Sequence, residues 1–298
     1  MLNLRAITPD HCSETDRRGA LFRRATSPSP SGTALRALLR LYRRYFALPL
    51  ETEVALNWTP RPSYAYCTYH AADLARRLGI SRISVIEFGV AGGNGLLFLR
   101  DFAARVGQAM NVEVEVYGFD TGAGLPAVSA TEDLPYWFRP FQYRMDQNAL
   151  QTRLHPAKLV LGNVADTVSE FFTRYDPAPV GAIFNDLDLY TSTTDSLKLF
   201  DQDALHFLPR LFMYFDDVIG TELEMYSECN GQLLAIKEFN RRQHAVYLGL
   251  NQNLLARNDV NYRYQIYYAH FRAHPLYRQY IGGEDQKGIE DALRLPRP

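Results

Sequence analysis

Acidic residues follow two of the short apolar runs in the sequence, and their spacing suits a bound cation. The run 180–185 ends at Asp186, and the run 211–215 ends at Asp216 and Asp217. If both runs are neighbouring parallel strands, their carboxyl ends meet at one edge of the sheet and the three carboxylates crowd together. Crowded carboxylates repel one another, and a divalent cation relieves that repulsion. Oxygen ligands favour a hard ion, Mg²⁺ first and Ca²⁺ or Mn²⁺ next. In the alternative, Asp186 and Asp188 cap the next helix while Asp216 and Asp217 pair with arginine.

Glycine-rich and polar segments follow three other apolar runs. The segment EFGVAGGNG spans residues 87–95, GFDT spans 118–121 and GNVADT spans 162–167. Closely spaced glycines between a strand and a helix let the backbone approach a ligand, or simply allow a tight turn. The glycines do not have the spacing of the dinucleotide fingerprint GxGxxG. The segment is also not a P-loop, because no GK[ST] follows. An acid such as Asp120 at a strand end can accept hydrogen bonds from a ribose diol, although turn aspartates are common.

Alternating elements must position these residues. The spacing of apolar residues predicts helices over 68–77, 94–106, 192–205 and 232–245. It predicts strands over 83–88, 112–119, 158–161, 180–185, 211–215 and 262–271. Strands that alternate with helices indicate a parallel sheet covered on both faces, an α/β architecture. The last strand has a polar–apolar alternation, and we expect it to be antiparallel at the sheet edge.

Composition excludes several classes of protein. The chain has 298 residues, of which 47% are hydrophobic and 22% charged, so it is not disordered as a whole. Three cysteines without a CxxC pair exclude a disulfide scaffold and favour a reducing compartment. The sequence predicts no membrane span, and its first residues lack the apolar core of a secretory signal. We therefore expect a cytoplasmic protein.

Charge is unevenly distributed along the chain. Residues 1–44 contain nine arginines against three acidic residues, whereas the remainder has 23 basic and 30 acidic residues. Residues 1–32, rich in serine and proline near their end, are interpreted as a basic tail. Residues 33–60 are interpreted as an N-terminal helical extension, whose amphipathic helix ends before Pro49. The remaining residues, 61–298, are interpreted as the main domain.

Together the motifs resemble a known family. The sequence is similar to the class I S-adenosylmethionine-dependent methyltransferases in five segments that occur in the same order: EFGVAGG, GFDTGAGLP, GNVADT, DLDLYTST and FDD. The resemblance is greatest to the metal-dependent macrocin O-methyltransferase type, which acts on sugars of macrolides and aminocoumarins. It covers about residues 60–245 and implies a Rossmann-like, doubly wound, mostly parallel sheet with an antiparallel C-terminal edge strand.

The resemblance also implies roles for individual residues. S-adenosylmethionine is expected to contact residues on three strand ends: Glu87, Gly89, Gly93, Asp120, Thr121 and Asn163. Asp186, Asp216 and Asp217 are expected to bind Mg²⁺ or another divalent cation, which would hold two adjacent hydroxyls of the acceptor. Asp186 is also the candidate general base. Some relatives have a histidine three residues beyond the first metal-binding aspartate, but here that residue is Leu189.

The resemblance predicts an O-methyltransferase for a small hydroxylated acceptor, a sugar or glycosylated natural product first. A catechol-like or polyketide hydroxyl pair is the alternative within the same chemistry. A nucleic-acid methyltransferase is disfavoured by the acidic body, and a non-catalytic cofactor-binding protein is disfavoured by the acid triad. We expect a homo-oligomer. Pro209 and Arg210 stand where many relatives have two glycines, a departure that bears on the substrate more than on the cofactor.

Overall fold

A computed structural model describes residue 38, residues 48–242 and residues 245–293 of the protein. The described residues of 59–281 form one compact unit, and the described residues of 48–58 and 282–293 belong to a second. The predicted tail over 1–32 lies outside the described residues. So does the predicted amphipathic helix, apart from Leu38, which is helical and exposed.

Helices and strands alternate through most of the larger unit. In chain order, the elements are α1 (Leu50–Ala55), α2 (Pro62–Arg77), β1 (Arg82–Phe88), α3 (Asn94–Met110), β2 (Glu113–Asp120), α4 (Gln147–Leu154), β3 (Lys158–Leu161), α5 (Val164–Tyr175), β4 (Val180–Asn185), α6 (Tyr190–Leu197), β5 (Phe207–Phe215), α7 (Gly231–Arg242), β6 (Val246–Leu250), α8 (Gln252–Leu255), β7 (Ile266–Phe271) and α9 (Gly283–Ala292).

The strands form one seven-stranded sheet in the order β3-β2-β1-β4-β5-β7-β6. Neighbouring strands from β3 to β5 are parallel, whereas β7 is antiparallel to both β5 and β6. The predicted mostly parallel α/β sheet with an antiparallel C-terminal strand is confirmed. The predicted strand over 262–271 is shorter and lies one place inside the edge, because the unpredicted strand β6 pairs along its outer side.

Strand β5 begins four residues earlier than the sequence predicts. Pro209 lies within it, at a point where the register with β4 shifts between Val180 and Ala182. Proline lacks a backbone N–H, and an irregularity of this kind is where a strand accommodates it. The helix predicted over 192–205 is also shorter, since α6 ends at Leu197 and two 3₁₀ turns follow.

The core lies on both faces of the sheet and is rich in aromatic side chains. Phe88 and Phe119 on adjacent strands are fully buried, with ring centroids 4.8 Å apart. On the other face, Tyr64 of α2 stacks on Phe184 of β4, with centroids 4.4 Å apart. Burial of side chains this large contributes strongly to stability, and it fixes the strand ends that carry the candidate site. Among the described residues, no helix has the length and apolar character needed to cross a membrane.

Candidate functional site

The three acidic residues predicted to bind metal lie together at the carboxyl ends of β4 and β5. One carboxylate oxygen from each of Asp186, Asp216 and Asp217 lies within 4.8 Å of the other two. Asp217 is buried, and the other two are partly exposed. Since β4 and β5 are parallel neighbours in which Asn185 pairs with Phe215, the residues that follow these strands reach the same edge.

Hydrogen bonds from neighbouring groups orient two of these carboxylates. The Tyr214 hydroxyl donates to Asp216. Asp217 accepts from the backbone N–H of Asp188 at 2.9 Å and from the Tyr226 hydroxyl at 3.3 Å. Contacts of this kind fix ligating carboxylates in metal sites, so the two carboxylates that follow β5 are preorganised.

The environment of the cluster disfavours negative charge. Burial, and then the charges of Asp216 and Asp188, raises the pKa of Asp186 to about 8. Burial likewise raises the pKa of Asp188 to about 7 and that of Asp217 above its ordinary range. Desolvation and like charges both penalise ionised carboxylates. A positively charged ligand would therefore be favoured at this position.

The glycine turn after β1 positions Asp186. The N–H of Asp186 donates to the carbonyl of Phe88 at 2.8 Å. Gly89 has φ +84°, and a Cβ atom on it would lie 1.7 Å from the carbonyl oxygen of Asp186. Only glycine fits this conformation and this close approach. The turn and the acidic cluster are therefore one connected structure.

Asp120 braces the same turn from the end of β2. Its Oδ2 accepts hydrogen bonds from the N–H groups of Val90 and Ala91 at 2.8 and 2.9 Å. Its Oδ1 accepts from the N–H of Gly122 at 2.6 Å. Each carboxylate oxygen has about two acceptor positions, so Oδ1 retains one for a ligand hydroxyl.

Two other predicted cofactor residues have side chains engaged in local turns. The Thr121 hydroxyl donates to the carbonyl of Gly124 at 2.7 Å. Asn163 is the N-cap of α5, and its Oδ1 accepts from the N–H of Ala165 at 3.1 Å. The Nδ2 group of Asn163 donates to none of the described residues, which leaves it available to a ligand.

Glu87 and Gly93 are not among the residues that line the cavity formed by the other predicted residues. Glu87 is 1% exposed; its Oε1 accepts from the Tyr64 hydroxyl at 2.9 Å, and its Oε2 has no partner among the described residues. Burial, and then the charge of Asp186, raises the pKa of Glu87 to about 8. Gly93, in a left-handed conformation, is the N-cap of α3. A buried acceptor without a partner is costly, and a ligand donor would satisfy it.

The other predicted residues open onto one cavity of about 380 Å³, a volume in the range of small-molecule sites. The predicted residues in its wall are Gly89, Asp120, Thr121, Asn163, Asp186, Asp216 and Asp217. The structure thus brings together the ends of β1, β2, β3, β4 and β5, as expected for the carboxyl edge of a parallel sheet.

Eleven further residues in the wall are not among the predicted site residues, and three of them carry groups that could contact a ligand: Asp188, Tyr143 and Glu224. Asp188, considered as a helix cap, does not cap α6: the N-cap is Leu189, without a side-chain hydrogen bond. The Asp188 side chain instead lines the cavity and makes no hydrogen bond with the described residues. The DxD spacing after β4 is the signal that could have identified it. Tyr143 and Glu224 belong to long loops, and no motif indicates them.

Solved structures share this architecture. The chain resembles the calicheamicin methyltransferase CalS11 with a TM-score of 0.50 and 19% identity over 91% of this chain and all of that one. It resembles the O-methyltransferase NovP with a TM-score of 0.49 and 16% identity over 70% of this chain and 79% of that one. Neither a protein-family model nor a curated protein matches. The likeness to CalS11 shows the fold: the chain has the class I S-adenosylmethionine-dependent methyltransferase fold.

Proposed function

We propose that the protein is an S-adenosylmethionine-dependent, Mg²⁺-dependent O-methyltransferase for a small hydroxylated acceptor. The observation that carries this proposal is the convergence of three carboxylates with Gly89 and Asp120 on one cavity of a methyltransferase fold. A methyltransferase fold alone does not require three crowded acids, whereas a metal-assisted reaction at a hydroxyl does.

The acidic cluster fits a hard divalent cation. Its donors are all carboxylate oxygens that lie within 4.8 Å of one another, and oxygen is the ligand type that Mg²⁺ and Ca²⁺ prefer. Asp186, Asp216 and Asp217 would hold the ion, which when bound polarises an acceptor hydroxyl and lowers its pKa.

The residues around the glycine turn fit S-adenosylmethionine. The unpartnered Oε2 of Glu87 would accept from an ammonium group, and the remaining position on Asp120 Oδ1 would accept from a ribose hydroxyl. The Nδ2 group of Asn163 would donate to the adenine. Asp120 and Asn163 line the same cavity as the acidic cluster, so a cofactor held by these residues would share that cavity with the acceptor, and methyl transfer depends mainly on such positioning.

Two carboxylates can accept the proton of the acceptor hydroxyl. Asp186 is the first candidate because it lies in the cluster and faces the cavity. Asp188 is the second, since it lines the cavity and is outside the cluster of three. A carboxylate that already binds a metal is a weaker base than one that does not, so the two roles separate most simply if Asp188 takes the proton.

Sugars and glycosylated natural products are the first acceptor class to test. The resemblance of the sequence motifs to sugar O-methyltransferases supports this choice. A catechol would present the same pair of adjacent hydroxyls to the cluster. The homo-oligomer stays a prediction.

The experiment compares the wild-type protein with Asp216→Asn and with Glu170→Gln, a control on the exposed face of α5. Formation of S-adenosylhomocysteine is measured with methyl α-L-rhamnoside and with catechol, in Mg²⁺ and in excess EDTA. Mg²⁺ affinity is measured by calorimetry. We expect turnover only with metal, and a loss of at least about tenfold in Mg²⁺ affinity for Asp216→Asn alone.

Turnover that is unchanged in EDTA and in Asp216→Asn would overturn the metal requirement. If every hydroxylated acceptor tried stays unmethylated while S-adenosylhomocysteine still binds, the catalytic proposal fails and a cofactor-binding role replaces it.

A further inference from the structure

The charge of the cavity wall is one-sided. Its carboxylates are Asp120, Asp186, Asp188, Asp216, Asp217 and Glu224. No Lys, Arg or His among the described residues lines the same wall. Asp120 is engaged with the glycine turn and three others form the candidate metal cluster, which leaves Asp188 and Glu224 to face an acceptor.

Bound metal and cofactor would not reverse this sign. A divalent ion contributes two positive charges, and S-adenosylmethionine contributes one net positive charge against six carboxylates. An anionic acceptor would enter a cavity whose wall has no basic side chain among the described residues to pair with it, which is unfavourable. Carboxylates accept hydrogen bonds from hydroxyl and ammonium groups, so they favour a substrate that carries these hydrogen-bond donors.

An aromatic side chain stands beside these carboxylates. Tyr143 lines the cavity with 53% of its surface exposed, on a loop where both it and Phe141 have positive φ. Phe138 in the same wall is buried in a small apolar cluster with Leu125 and Leu189. An exposed aromatic face next to carboxylates suits the apolar face of a ring or a cationic group. Tyr143 can therefore contact the apolar face or cationic group of the methyl acceptor, which the carboxylates cannot do in the same way.

We propose that the acceptor is a neutral or cationic polyhydroxylated ring, such as an amino sugar or a sugar without phosphate or carboxylate, and that Glu224 and Tyr143 select it. The inference rests on the proposed function, whose site it uses. It distinguishes such acceptors from nucleotide-diphosphate sugars, which would bring at least two negative charges to a wall without cations.

Dopamine and 3,4-dihydroxybenzoate test the proposal, because they present the same diol with opposite charges. Their binding to protein loaded with Mg²⁺ and S-adenosylhomocysteine is measured by calorimetry, and their methylation by initial rate. We expect dopamine to bind at least about tenfold more tightly than the benzoate. Methyl α-L-rhamnoside and TDP-rhamnose give a second comparison, in which the uncharged sugar is expected to bind more tightly.

Variants assign the selectivity to residues. Glu224→Lys is expected to reduce the dopamine preference about tenfold. Glu224→Gln, which keeps an acceptor for the N–H of Thr221, is expected to reduce it less. The matched control is Glu222→Lys, an exposed residue on the same loop that does not line the cavity. Tyr143→Ala is expected to weaken both catechols.

The outcomes separate this inference from the proposed function. S-adenosylhomocysteine binding should be unchanged in all these variants, and its absence in the wild-type protein would refute the proposed function. With that binding intact, the selectivity proposal is overturned by equal or tighter binding of the anionic probes, by binding of no probe, or by a preference that Glu224→Lys and Glu222→Lys change equally. Unaltered binding in Tyr143→Ala would remove Tyr143 from the proposal.

Discussion

Replacement of Gly89 by alanine tests the claim that the glycine turn and the acidic cluster are one structure. The new Cβ would lie 1.7 Å from the Asp186 carbonyl oxygen, and real Cβ contacts are essentially never shorter than 3.0 Å, so a movement of 1.3 Å is needed. The left-handed backbone costs alanine about 1–2 kcal/mol, and overpacking costs about 1–3 kcal/mol more. We expect a loss of about 3 kcal/mol in the free energy of unfolding.

The matched control is Gly92→Ala in the same turn, where an added Cβ meets nothing within 4 Å. Its effect should be within about 0.5 kcal/mol. Urea and thermal unfolding measure both variants, and for a domain of this size Gly89→Ala should lower Tm by about 6–12 °C. Mg²⁺ affinity should fall as well, because metal–ligand distances tolerate only about 0.2 Å. Equal stability and equal Mg²⁺ affinity in the two variants would show that the glycine turn does not position the acidic cluster.

Three further predictions concern single side chains. If Asp188 is the base, Asp188→Asn should retain Mg²⁺ binding and lower kcat about 10²–10⁴-fold, whereas Asp186→Asn should lose both Mg²⁺ binding and turnover. Unchanged kcat in Asp188→Asn, together with retained Mg²⁺ binding and lost turnover in Asp186→Asn, would instead assign the proton to Asp186. The pKa of Glu87 in the folded protein is raised to about 8, so its ionisation destabilises the fold as pH rises from about 4.5 to 8. Glu87→Gln should therefore raise the free energy of unfolding by about 2–4 kcal/mol at pH 8, measured with urea, and should weaken cofactor binding. Burial lowers the pKa of His70 to about 4, so the protein should lose up to about 3 kcal/mol as pH falls from 6.5 to 4, and His70→Phe, which keeps the stacking on Phe212, should lose less over that range.

The parts of the site that follow strands could be predicted from the sequence. Apolar runs identify β4 and β5, and the geometry of a parallel sheet then places Asp186 and Asp216 at one edge. The same argument places Gly89 and Asp120 in one turn region, where the Asp120 carboxylate accepts hydrogen bonds from the N–H groups of the two residues that follow Gly89. These inferences need only the order of the elements and the residue that follows each strand.

The parts of the site contributed by long loops could not be predicted in this way. Tyr143 reaches the cavity on a loop that includes residues with positive φ, which the types of those residues do not indicate. That loop is anchored by Asp133, which accepts hydrogen bonds from Thr191 at the start of α6, a contact between residues far apart in the chain. Strand β6 escaped prediction because its short run includes an exposed Tyr247 and a glycine. Long-range contacts, rather than local pattern, decide such segments.

Binding of S-adenosylhomocysteine is the property on which the whole proposed function depends. Calorimetric titration of the full chain should show a dissociation constant in the micromolar range, in Mg²⁺ and equally in excess EDTA, because the acidic cluster serves the acceptor and not this ligand. A folded protein that shows no heat of binding in either buffer would contradict the proposal that this protein binds S-adenosylmethionine. The glycine turn, Glu87 and Asp120 would then have another role.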